Sequence, residues 1–445
     1  MIPKRNILVE RSKEIMPSHP SCVPAELVVD YDVYDESRAG NVHEELKRIR
    51  STTPVGFTTA TGGYWVVTRY EDARDVLRQP QVFSSSGVSI APFPGKVIPG
   101  QLDPPEHTAY RQVLAPLFSP KRMLALEGEI RSIATSLIDE FAPSGSVELL
   151  RQFAHPLPSR LFLALMGWPQ SDADLFTDWT KTILTPDSEL PVEEQQRLGQ
   201  QAAESVFAYF GEMLSKRTGG EDDATSALVE SELYPGQRIG TDDLLHLLFE
   251  LMLGGLHTVR GTLGFGLVHL ASNPDQRRKI IDDPTLIPNA VEEILRLDAP
   301  VSVGRLVTKD TTIGGVPMKA GDKVLVVLWS ANRDESHFPH ADQMDLERKQ
   351  VPPQCAFSTG PHRCPGSHLA RVELRIALEE LHRRIPDYRL DPTKQLRYHH
   401  SQVRALDEVH LLFTPTDESI HTRANLATVA NDPSDSESTE ATSLG

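Results

Sequence analysis

The sequence predicts a mostly α-helical protein carrying small β-sheets, and three observations support this. Helical periodicity runs through most of residues 121–218 and again from Thr241, expected as a cap, to about Ser272. Strand-like runs are few and short: Val55–Thr68 around the Gly62-Gly63 turn, Val324–Trp329, and Val403–Phe413. A loop rich in Gly and Pro, Phe357 to Gly366, runs directly into a helical pattern from Leu369 to Arg383, with a single cysteine, Cys364, just before it.

Composition bounds what the chain can be. Its 445 residues, 39% hydrophobic and 24% charged, suffice for a large core and would suit two ordinary domains. No apolar run approaches the roughly 18–20 residues of a membrane span, and Met1–Arg5 opens no apolar signal region. Three cysteines (Cys22, Cys355, Cys364) fit a reducing, cytoplasmic setting without structural disulfides. A net charge of −17 argues against nucleic acid or an anionic membrane as partner.

In order along the chain, residues 1–28 are polar and aperiodic and read as a loose N-terminal arm, ahead of a domain spanning 29–414. Asp30 to Arg50 has a helical pattern with Leu46 and Ile49 on one face; the hairpin follows, then helix over Arg69–Leu77. Residues 84–103 form a long Ser/Gly/Pro loop, a length usual for functional lids or disordered segments. Asp103 is expected to cap the next helix, opened by Pro104-Pro105, on which His107 and Arg111 lie one turn apart. On spacing alone, that pair fits a solvated charged face. From about Thr416 the chain is acidic and free of aromatics, so 415–445 reads as a disordered tail.

The helix from Thr241 is apolar nearly all round and should be buried, yet it carries Gly254-Gly255, then His257 and Thr258. Two interior glycines cost about 0.8–1 kcal/mol each relative to alanine. They indicate either close helix packing or a bulge making room for a ligand. Glu293 and Arg296 lie three apart on one helical face and can pair. Glu45/Arg48, Glu194/Arg197 and Glu380/Arg383 share that spacing and read as ordinary surface pairs. Cys364 before a helix N-terminus is placed for a stabilised thiolate. It could equally be a small core residue, or join His362 and His368 in a zinc site, although no second ligand pair appears.

The pattern Phe357-x-x-Gly360-x-His362-x-Cys364-x-Gly366 resembles the haem-binding loop of the cytochrome P450 family, in particular its soluble, camphor-hydroxylase-type bacterial members. The order of the other landmarks agrees: Asp103-Pro-Pro-Glu-His107 with Arg111, Gly254-Gly255-x-x-Thr258, Glu293-x-x-Arg296, then Arg305 and Arg348. The resemblance covers roughly residues 30–414 and implies one compact catalytic domain, with haem b between the glycine-bearing helix and the Cys364 loop. It implies that Cys364 ligates iron, that Phe357 and Gly366 flank the haem, and that His107, Arg111, Arg305 and His362 hold its propionates. It further implies that Gly254, Gly255, His257 and Thr258 frame dioxygen, with Thr258 guiding protons, and that Glu293, Arg296 and Arg348 form a structural charge cluster. His257 departs from the acid usual in the family, and Ala341 and Met344 replace the common Pro and Phe.

The implied reaction is hydroxylation of a small or medium, mainly apolar substrate, with dioxygen and electrons from a ferredoxin and its NAD(P)H reductase. Arg69, Arg74, Arg78, Lys121, Arg122 and Arg363 could form the docking face. Alternatives are a peroxygenase using hydrogen peroxide and, less favoured, a non-catalytic haem sensor. Leu253 and Val303 are expected to line the substrate pocket, and Glu250 and Gln402 to read a polar handle such as a hydroxyl or amine. A histidine at 257, with an ordinary pKa of about 6.5, is expected to make activity rise as pH falls through its titration.

Overall fold

The computed structural model describes residues 23–416 apart from 94, 188, 218–219, 221 and 349–352. The tail expected beyond Thr416 and most of the N-terminal arm lie outside the described residues. Of the arm, residues 25–27 form a turn of 3₁₀ helix, and Val29 N–H donates to Phe57 O at 2.8 Å, along the first strand.

One helix, Thr241–Ser272, threads the centre, and its two halves bury into different cores. Leu247, Leu248, Met252 and Leu256 pack with Phe162, Phe176, Val206 and Phe210. Leu263, Leu267 and Leu270 pack instead with the helices Glu127–Phe141, Ile287–Leu297 and Ser367–Arg384. Between the halves the apolar stripe is interrupted by Glu250, Gly254 and Thr258, four residues apart on one face. The seam between the two cores is therefore where the helix turns polar atoms and bare backbone inward.

A third core surrounds a five-stranded sheet. The hairpin strands Val55–Thr58 and Tyr64–Val67 pair antiparallel as expected, and Lys323–Val326 lies parallel to the second of them. Val303–Val307 pairs antiparallel with Lys323–Val326, placing Arg305 opposite Val324, and Phe83–Ser84 closes the sheet. This register carries Arg305 to an inner position beside the loop after Ser84.

Several expected boundaries shift. The first helix begins at Val42, not Asp30, because Asp35 accepts from Ser37 N–H and caps a separate 3₁₀ turn at Glu36–Arg38. Gly240, not Thr241, precedes the central helix. Asp103 caps no helix: its carboxylate takes Ser85 N–H (2.9 Å) and Ser84 Oγ (2.5 Å), and the helix starts at Glu106. The strand from Lys323 stops at Val326, and Trp329 falls in a short helix, Leu328–Ala331. The run 403–413 holds two short strands, Ala405–Leu406 and His410–Phe413, belonging to different sheets. No described helix is long and apolar enough to cross a membrane.

Candidate active site

The Cys364 loop is built from backbone constraints. Cys364 N–H donates to Phe357 O (2.9 Å), a short 3₁₀ turn covers Gly360–His362, and the helix Ser367–Arg384 begins three residues after the cysteine. Gly360 sits at φ +73° with the Leu77 carbonyl 2.6 Å from where a Cβ would be, so only glycine fits. Gly366, at φ −77°, is not held there by conformation; a Cβ would lie 3.9 Å from Cys364 Sγ. The Arg371 guanidinium covers the Phe357 ring at 4.6 Å, fixing the side chain that opens the loop.

Burial pushes the Cys364 thiol up, although the Gly366 N–H and Arg111 act in the opposite direction. The helix start expected to hold a thiolate is thus outweighed by desolvation in the protein alone. By accessible surface the residue is half-buried. Cys355 is fully buried, its N–H given to Asn332 Oδ1 at 2.7 Å, and its thiol is raised to about 12 by burial.

Beside the cysteine, four polar side chains converge. The His107 and His362 rings lie 3.9 Å apart between centroids, tilted by 34°, and Ser85 Oγ lies 3.0 Å from His362 Nε2. Burial drives both imidazoles down, His107 to about 4 and His362 to about 3, with Arg111 and Arg305 adding to the effect. Arg111 donates to Arg363 O at 2.6 Å, and Arg305, 3% exposed, donates to Gly304 O at 2.7 Å. Neither guanidinium has a carboxylate within ion-pair reach among the described residues. Burial lowers Arg305 to about 10, and buried His107 Nδ1 has no partner. Two arginines desolvated without an anion make a hole shaped for one.

Across from the loop, the central helix is continuous through Gly254-Gly255, so the expected bulge is absent. The open side is real: a Cβ at Gly254 would meet nothing within 4 Å, and one at Gly255 only Phe162 at 3.9 Å. Thr258 Oγ1 donates back to Gly254 O at 2.8 Å, holding its hydroxyl beside that space. His257 points elsewhere. It is 1% exposed, neither ring nitrogen has a partner, and burial together with Arg260, His155 and His399 drives its pKa well below 6.5. Burial thus favours the neutral ring, against the titration near neutral pH that the residue type suggests.

Glu293 and Arg296, both 0% exposed, form a two-bond pair at 2.8 and 2.9 Å. Arg348 joins Glu293 at 2.9 Å, Asp345 N–H donates to it at 2.9 Å, and Arg296 also donates to the Asn332, Ala341 and Gln343 carbonyls. Burial would raise Glu293, yet the Arg296 bonds more than offset it and hold the carboxyl below its ordinary value. Of the three look-alike pairs, only Glu194/Arg197 is an ordinary surface pair. Glu45 pairs with Arg38, and Glu380, 3% exposed, bridges Arg131 and Arg383.

Gln402 does not read a substrate handle. Its amide is consumed by Tyr34 OH and Ile90 N–H (both 2.7 Å) and by the Val88 (3.1 Å) and Ser302 (3.4 Å) carbonyls. It ties the 88–90 turn to the sheet. Leu253 is buried in the core around the first half of the central helix, and Val303 packs half-buried against the sheet core. Glu250 opens inward and accepts from Gly100 N–H at 2.8 Å. That contact was missed because nothing in the spacing of 100 and 250 links them. On the outer face, Arg78 reaches Thr359 of the Cys364 loop at 3.5 Å, and Arg74 is paired with Glu71.

Fold and site together define a class: a central helix with an open, threonine-bearing face, set against a single-cysteine loop flanked by a buried and a half-buried arginine with no carboxylate in ion-pair reach among the described residues. The "Cytochrome P450" family model matches residues 163–392. The chain is 36% identical to the "Mycinamicin IV hydroxylase/epoxidase" of Micromonospora griseorubida, over 82% of this chain and 93% of the relative. It is 31% identical to the "Vitamin D(3) 25-hydroxylase" of Pseudonocardia autotrophica, over 79% and 88%. Among solved structures, cytochrome P450 CYP101C1 superposes with a TM-score of 0.80 at 26% identity, covering 89% of this chain and all of that one. A mutant of P450 EryK in complex with erythromycin B gives 0.76 at 30%, covering 87% and 98%. The chain belongs to the cytochrome P450 family, as its Cys364 loop implied, and is an oxidoreductase of the monooxygenase class acting on organic substrates. The family implies a haem-thiolate cofactor, and the unmatched Arg305, His107 and Arg111 fit such a group.

Proposed function

We propose that residues 29–414 form the catalytic domain of a cytoplasmic, ferredoxin-dependent monooxygenase that hydroxylates a mainly apolar substrate of small or medium size. Cys364 would ligate the iron of haem b, with Phe357 and Gly366 beside it; His107, Arg111, Arg305 and His362 would take the propionates. The observation that carries this is buried Arg305 and half-buried Arg111 beside Cys364, neither with a carboxylate in ion-pair reach among the described residues. When bound, a thiolate-ligated haem supplies reductive activation of dioxygen. The chain contributes Thr258, whose hydroxyl beside Gly254 can hold and pass a proton, and two apolar cores that exclude water. Leu253 and Val303 would bound the substrate. The Glu293–Arg296–Arg348 cluster would be structural. Arg78 and Arg363 at the loop's outer side, with Arg69, Arg74, Lys121 and Arg122, would receive an acidic electron donor.

The test is the reduced, carbon-monoxide-treated spectrum of purified protein. Cys364→Ser is expected to abolish the red-shifted band of the thiolate complex while Cys355→Ser leaves it intact; the reverse result would overturn the assignment. NADPH consumption with a surrogate ferredoxin and reductase separates this reading from peroxide use, which the retained Thr258 disfavours and His257 in place of an acid leaves open.

A further inference from the structure

We infer that Glu250 is the polar end of the substrate pocket and selects substrates carrying a protonated amine roughly 6–12 Å from the carbon that reacts. This rests on the proposed monooxygenase function and adds the substrate class. Glu250 Oε2 accepts the Gly100 N–H at 2.8 Å, and a Cβ on Gly100 would fall 2.4 Å from Oε1, so any larger residue there would push the carboxylate aside. The loop thus fixes the carboxylate while leaving Oε1 with no hydrogen-bond partner among the described residues. No Lys, Arg or His nitrogen there lies within ion-pair distance of it. Arg111 acts on it only from further away and spends a donor on Arg363 O. A carboxylate turned inward without a cation is costly unless a ligand supplies one.

The surroundings describe the rest of the ligand. Phe93 on the same loop lies 6.4 Å from Phe249, Phe207 stacks on Phe249 at 5.1 Å, and Gly95 of the loop packs near Phe207 and Phe249, so the loop that carries Gly100 rests on an aromatic, apolar cluster. Glu250 precedes open Gly254 by four residues and Thr258 by eight, on one face of a continuous helix. At about 1.5 Å rise per residue, that separation sets the distance given above. The charged and titratable groups that act on Glu250 are Arg111 from the helix Glu106–Leu117 and Cys364 from its loop; the Gly100 N–H is the one dipole. Burial dominates and raises the carboxyl to about 7, so it is half-neutral until a cation arrives.

The experiment is isothermal calorimetry on the haem-loaded protein with N,N-dimethyldodecylamine, 1-dodecanol and dodecanoate, backed by Soret titration. Wild type is expected to prefer the ammonium. Glu250→Gln keeps an acceptor for Gly100 N–H, so a loop-holding role alone would leave all three ligands as they were. The inference expects ammonium affinity to fall about tenfold or more with dodecanol within about twofold. In wild type the ammonium affinity should rise up to about tenfold from pH 6 to 8, and stay flat in Glu250→Gln. Should the glutamine variant not fold, Glu250→Asp is expected to retain the preference with weaker binding. Equal ammonium binding by Glu250→Gln and wild type, no preference in wild type or Glu250→Asp, or a red-shifted Soret band from nitrogen on iron would overturn it. An absent thiolate band in wild type would instead sink the haem reading, and calorimetry distinguishes the two.

Discussion

Two buried charge clusters in this molecule look alike in composition and behave oppositely. Around Glu293, two arginines and a backbone N–H satisfy one carboxylate, and Arg296 spends its remaining donors on three carbonyls. Around Arg305, two arginines and two closely packed histidines have no carboxylate in ion-pair reach among the described residues; Asp103 and Glu250 act on the arginines only from further away. The first cluster is closed and explains itself; the second is finished only by an anionic ligand. Buried charge alone therefore does not locate a site. Buried charge with its bookkeeping left open does.

The largest effect should come from opening the closed cluster. Arg296→Met leaves Glu293 buried beside Arg348 alone and should cost about 3–5 kcal/mol, read as a collapse in chemical-denaturation midpoint; a loss below about 1 kcal/mol would show that the knot is not structural. Next, Arg305→Met removes a buried cation with no carboxylate in ion-pair reach among the described residues. Haem affinity should drop about 10–100-fold, measured by haem transfer to an acceptor protein, and unchanged retention would break the comparison.

A third buried charge sharpens it. Glu373 is 3% exposed, Oε2 has no partner, and burial raises the carboxyl to about 8. A raised acid binds its proton more tightly folded than unfolded. Its contribution is therefore fully present below about pH 4.5 and is lost as pH rises through about 8. Glu373→Gln should remove that slope and raise stability at pH 9 by about 1–3 kcal/mol; an unchanged slope would place a partner on Glu373. The smallest effect concerns His257. With the ring held neutral by burial, its replacement by alanine should leave the pH profile of turnover unaltered between pH 6 and 8, and a lost ionisation in that window would contradict the burial argument.

How much of this was legible in the sequence depended on whether spacing along the chain encodes the contact. The helix Thr241–Ser272, the hairpin, Glu293/Arg296 and the Cys364 loop are local patterns and were readable. Glu250 on Gly100 N–H and Gln402 on Tyr34 and Ile90 join segments 150 and more residues apart and leave no periodic trace. His257 is a different case: its helix position was readable, but burial beside Arg260 and His155, which pushes its pKa down, is not encoded in the residue type. The same limit hid Asp103, whose cap-like position is taken over by Ser84 and Ser85.

The central claim is that the Arg305 cluster is complete only with an anionic cofactor. The direct measurement is thermal unfolding of Arg305→Met and wild type, each as apoprotein and haem-loaded. Removing an unpaired buried cation should leave the apoprotein as stable as wild type or more so, while the stabilisation on adding haem shrinks. An Arg305→Met apoprotein that is destabilised, yet gains as much from haem as wild type, would contradict it.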